Sequence, residues 1–99
     1  MSVNTYDVGE TVILTATFRN EDGDLATPTT TTLYIERPDG TTDTVNDASL
    51  TDVSAGVLEY ADTCEARGNT WYRFVGVTSS RTVVEEGRYV GRRQHAVPS

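Results

Sequence analysis

Hydrophobic and polar positions alternate along Thr11–Arg19. Val12, Leu14, Ala16 and Phe18 fall on one side of a pleated strand, and Thr11, Thr15, Thr17 and Arg19 on the other. A period of two predicts a strand with one buried and one wet face, as in an antiparallel sheet. The run closes on Asn20-Glu21-Asp22-Gly23-Asp24, a turn-forming cluster. Residues 3–8 read as a short edge strand ended by Gly9. Leu25 to Thr30, with Pro28 inside it, reads as a connection between sheets. The alternation returns over residues 31–37 with Leu33 and Ile35 inward. Pro38-Asp39-Gly40 then supplies a hairpin turn, because proline presets φ and glycine accepts the positive φ that closes it. Residues 41–46 return as a polar edge strand.

In the second half, Leu50 and Val53 mark a short strand before Ser54-Ala55-Gly56. Residues 57–62 form the next, its inward face divided between Leu58 with Tyr60 and Val57 with Ala61. Glu65 to Asn69 is a loop, and any helical turn in the chain is expected near Thr63–Arg67. Thr70 to Val77 carries Trp71, Tyr72 and Phe74. A final strand runs from Arg81 to Val90, interrupted at Glu85-Glu86-Gly87. About seven short strands at regular turn spacing predict an all-β fold: an antiparallel β-sandwich of immunoglobulin-like type over residues 1–90, with a basic tail at 91–99. Val12, Leu14, Ala16, Phe18, Leu33, Ile35 and Trp71 are the expected core.

Composition refines this picture. The 99 residues are 36% hydrophobic, low for a globular chain, but the deficit is filled by seventeen threonines. Threonine is β-branched and suits the wet face of a strand, so the content predicts a thin sandwich rather than an unfolded chain. A chain this short buries roughly 65% of its unfolded surface, enough for one two-layer core. Cys64 is the only cysteine, so no internal disulfide is expected, and it reads as a small residue half-buried at a strand end. With no apolar run resembling a signal or a membrane span, synthesis and folding in the cytoplasm are expected.

All eight positive charges are arginine. Residues 1–80 hold four of them against thirteen acids, a balance of −9, whereas residues 81–99 hold four against two, a balance of +2. The acidic body repels nucleic-acid phosphates, which argues against direct DNA or RNA binding. Arg88, Arg92 and Arg93 are the candidate partner-binding residues, since arginine pairs bidentately with carboxylates where lysine does not.

Candidate chemistry is sparse. The one histidine, His95, lies in the polar tail, and one cysteine with one histidine cannot build a zinc site. The Asn20–Asp24 cluster resembles a calcium loop, but Gly23 stands at its fourth position and Thr31 at its twelfth, so the EF-hand pattern fails. Trp71, Tyr72 and Phe74 suggest a stacking platform. Neighbours on a strand point to opposite faces, however, so Trp71 parts from the other two and one set belongs to the core. The inventory predicts no catalytic residues, no cofactor and no metal.

Four blocks carry a resemblance: Tyr6-Asp7-Val8-Gly9-Glu10-Thr11-Val12, Arg37-Pro38-Asp39-Gly40-Thr41, Gly68-Asn69-Thr70-Trp71-Tyr72-Arg73-Phe74 and Val84-Glu85-Glu86-Gly87-Arg88-Tyr89-Val90. In this order they resemble the small, single-domain immunoglobulin-like structural proteins of tailed bacteriophages and prophages, without the antibody-type cysteine pair. The resemblance implies a virion component that decorates the capsid or sits at the head–tail junction. Its partners would be capsid or head–tail proteins, with no membrane and with homo-oligomers possible on the particle. The alternative expectation is a module of a phage tail or bacterial surface structure that recognises host-surface sugar or protein through its loops.

Overall fold

The computed structural model describes residues 5–78 and 81–92. Among the described residues, eight strands form two stacked sheets. The first has the order β1 (Thr5–Asp7), β8 (Thr82–Arg92), β7 (Gly68–Val77), β3 (Thr30–Glu36), β4 (Thr42–Val45); the second is β2 (Thr11–Thr17), β6 (Val57–Thr63), β5 (Thr51–Ser54). The chain is an all-β sandwich. Pairing is antiparallel throughout except at one edge, where β1 runs parallel to β8 with Tyr6 opposite Gly91. One 3-10 turn, Asp47–Ser49, joins β4 to β5.

The alternation read from the sequence determines the packing of β2, whose burial switches at every residue from Thr11 to Thr17. Val12, Leu14, Ala16 and Phe18 meet Leu33, Ile35, Leu58, Cys64, Phe74 and Tyr89 between the sheets. Tyr72 and Phe74 pack edge to face, as do Tyr6 and Tyr89. The hairpin after β3 closes as expected: Arg37 N–H donates to Thr41 C=O at 2.7 Å, and Gly40 takes φ +92°. Asn20 Oδ1 accepts from the N–H groups of Asp22 and Asp24, so backbone satisfaction explains the acidic turn. On β6 the inward pair is Leu58 with Tyr60, followed by Asp62.

Four expectations are corrected. Trp71 is not core: it is 49% exposed, because β7 turns Thr70, Tyr72 and Phe74 inward and Trp71 outward. Tyr89 takes the large buried aromatic position instead. The last strand is continuous through Glu85-Glu86-Gly87 and extends to Arg92, beyond the expected end at Val90. Gly87 is not a break; a Cβ there would lie 2.5 Å from the Tyr72 hydroxyl, so the residue makes room for an inward ring. The helical turn falls at Asp47–Ser49 and not near Thr63–Arg67, where Cys64 N–H and Glu10 C=O instead bind β6 to the loop before β2. Cys64, expected at a half-buried strand end, is completely buried.

Candidate interaction surface

The outer face of the five-stranded sheet is where residues of binding character collect. Strand alternation sends Tyr34 and Glu36 of β3, Trp71, Arg73 and Val75 of β7, and Val84, Glu86 and Arg88 of β8 to the same side. Register aligns them in rows. Tyr34, Arg73 and Glu86 lie side by side in the middle row; Glu36, Trp71 and Arg88 form the row on one side of it, and Thr32, Val75 and Val84 the row on the other. The Arg88 guanidinium carbon lies 5.2 Å from the Trp71 ring centroid, and that of Arg73 lies 5.5 Å from the Tyr34 ring. Both are cation–π contacts, which hold the aromatic rings against the sheet and leave cations at the surface. Val77 and Val84 add exposed apolar area beside them. The opposite outer face, on the three-stranded sheet, is mainly threonine with Ile13 and Val53 standing singly.

Two of the three arginines singled out from sequence have partners within the chain. Arg88 donates to Asn69 Oδ1 at 3.0 Å besides stacking on Trp71. Arg92, at the end of β8, donates through Nε to Asp7 Oδ1 at 2.7 Å and so ties the short parallel strand β1 to its neighbour. That carboxylate raises the Arg92 pKa further above its ordinary value. Arg93 and His95 lie outside the described residues. Sequence reasoning assigned Trp71 to the core and so missed the surface it anchors. The available signal was its register: with Phe74 inward, Trp71 must point out.

A buried polar cluster lies at one end of the sandwich. Arg37 grips Asp62 through two guanidinium nitrogens at 2.8 and 3.0 Å and Asp43 through Nε at 2.9 Å. Tyr89 donates its hydroxyl to the same Asp62 at 2.7 Å. Asp62 is 5% exposed, and its burial is offset by this pairing and hydrogen bonding. Hydrogen bonding to Asp62 drives the Arg37 pKa up, and burial followed by the Asp62 hydrogen bond drives that of Tyr89 well above the usual tyrosine range. Burial also raises the Cys64 thiol, whose weak contacts are the carbonyls of Tyr6 and Ala66 at 3.9 Å. A thiol so placed lacks the thiolate character that nucleophiles need.

At the other end, a cleft of about 240 Å³ lies between the Arg19–Asp22 turn and β8, lined by Phe18, Pro28 and Arg81 among others. Arg81 spans it, donating to Arg19 C=O at 3.0 Å. Among the described residues no group of three or more His, Cys, Asp or Glu side chains is placed to hold a metal ion. No protein-family model matches the chain, and neither a curated protein nor a solved structure matches it.

Proposed function

We propose that this protein is a non-enzymatic structural component of a phage particle, most simply a capsid-decorating protein, and that its working surface is the outer face of the five-stranded sheet. The observation that carries the proposal is Trp71. A tryptophan held half-exposed by an arginine, beside a second stacked Arg–Tyr pair, is the residue mixture that dominates protein interfaces and contributes little to its own core. The sheet order supports the immunoglobulin-like reading: β2-β6-β5 faces β8-β7-β3, with β4 added at the outer edge. The phage setting rests on the four sequence blocks.

The alternative, a module that recognises host-surface sugar, draws on the same exposed indole. A sugar stacking there would have to displace Arg88 from the ring, at the cost of its cation–π contact. The face therefore suits a protein better. Particles purified from the strain encoding this chain decide the matter by quantitative mass spectrometry. The proposal expects many copies per particle. A chain that is missing from particles, or that binds intact host cells in their absence, overturns it.

A further inference from the structure

The arrangement of charges on the outer face is self-complementary, and we infer that its occupant is a second copy of this chain. The inference rests on reading that face as the working surface. Two adjacent rows carry the argument: Tyr34, Arg73, Glu86 and then Glu36, Trp71, Arg88. Consider two copies face to face, related by a two-fold axis that runs across the strands between these rows. Each strand then lies over its own counterpart, with the two rows exchanged.

Arg73 of one copy meets Trp71 of the other, Glu86 meets Arg88, and Tyr34 meets Glu36. All three contacts are favourable, and symmetry makes each twice. Trp71 is enclosed between Arg88 of its own chain and Arg73 of the second copy. A two-fold axis along β7 also brings Glu36 over Arg88, but it sets Arg73 on Arg73. The first arrangement is preferred.

Charge on the whole molecule points the same way. The chain carries −7, so most surfaces of two copies repel. On this face Arg73 and Arg88 balance Glu36 and Glu86, and Arg92 balances Asp7 at its margin. It is a neutral, aromatic patch on an acidic body, and copies meet there without net repulsion. At ~3.3 Å per residue and ~4.8 Å between strands, the face covers roughly 550 Å². A pair buries on the order of 1,100 Å², the low end of specific association, so the dimer is a weak one that forms at micromolar concentrations or above. On a particle that presents many sites, such pairing strengthens attachment by joining neighbours.

Sedimentation velocity of the full chain over a concentration series tests this. The wild type is expected to pass from monomer to dimer, with the emission of its single tryptophan shifting to the blue as Trp71 is covered. Glu86→Arg and Arg88→Glu should each weaken the dimer at least about tenfold, two symmetry-related pairs being lost in each. The double variant E86R/R88E should recover the wild-type association, because the reversed charges meet again. All these positions are exposed, and thermal unfolding of each variant checks that the fold is intact.

A chain that stays monomeric to about 1 mM overturns the inference, since a still weaker affinity has no bearing on a specific pair. Rescue by E36R/R88E in place of E86R/R88E overturns the arrangement across the strands and assigns the axis along β7, with a second copy still the occupant. Neither result touches the functional reading, which stands or falls on the particle composition.

Discussion

Asp62 shows how one residue can hold this fold together. It accepts from two nitrogens of Arg37 and from the hydroxyl of Tyr89 while almost completely buried. Replacing it with alanine leaves the Arg37 guanidinium with Asp43 alone and takes away the acceptor of the Tyr89 hydroxyl, and is expected to cost about 3–5 kcal/mol in urea unfolding. Trp71→Ala, by contrast, is expected to cost about 1 kcal/mol or less, since half the residue is already wet and one cation–π contact is lost. A buried tryptophan would cost about 3–5 kcal/mol, and a value in that range would return Trp71 to the core.

Tyr89 also sets an alkaline limit. Below about pH 10 tyrosine is neutral in both folded and unfolded chains. Above that pH the unfolded chain releases the proton while Tyr89, its pKa raised by burial and by Asp62, keeps it. The folded state then binds more protons, so stability falls as pH rises. Tyr72 and Cys64, both raised by burial, act in the same direction. Unfolding midpoints measured from pH 8 to 11 should decline, and less steeply in Tyr89→Phe.

At the scale of elements, the continuity of β8 depends on residues without side chains. A Cβ on Gly91 would lie 2.2 Å from the Ala66 carbonyl oxygen and 2.7 Å from Cys64 Sγ, so the loop after β6 packs directly on the strand backbone. Gly91→Ala is expected to destabilise by about 1–3 kcal/mol in chemical denaturation, with β1 losing amide protection because Gly91 is its pairing partner.

These glycines also explain where sequence reading stopped. Strand β2 was legible because every second residue is apolar against threonine, and the hairpin at Pro38-Asp39-Gly40 because its turn chemistry is local. The last strand looked broken at Gly87 because the reason for that glycine is the Tyr72 ring, contributed by a neighbouring strand. Trp71 looked buried because size and hydrophobicity favour the core, while its direction is set by Phe74 three residues away. Asp62 carried no signal, since nothing local announces that Arg37 and Tyr89 converge on it. The aromatic face was therefore present in the sequence as residues but not as a surface; only the register of β3, β7 and β8 assembles it.

The whole molecule has two distinct ends and two distinct outer faces. The ends are closed by the Arg37–Asp62–Tyr89 cluster and by the cleft near Arg81; one outer face is threonine-rich, and the other is aromatic and charge-balanced. The central claim is that the aromatic face is the one in use on the particle. Hydroxyl-radical footprinting read by mass spectrometry tests it most directly, with oxidation of Trp71 compared between the dilute free chain and purified particles. The account predicts that Trp71 oxidises readily when free and is strongly protected on the particle, while Ile13 on the opposite face changes little. Equal oxidation of Trp71 in both states, or protection confined to Ile13 and its neighbours, would contradict it.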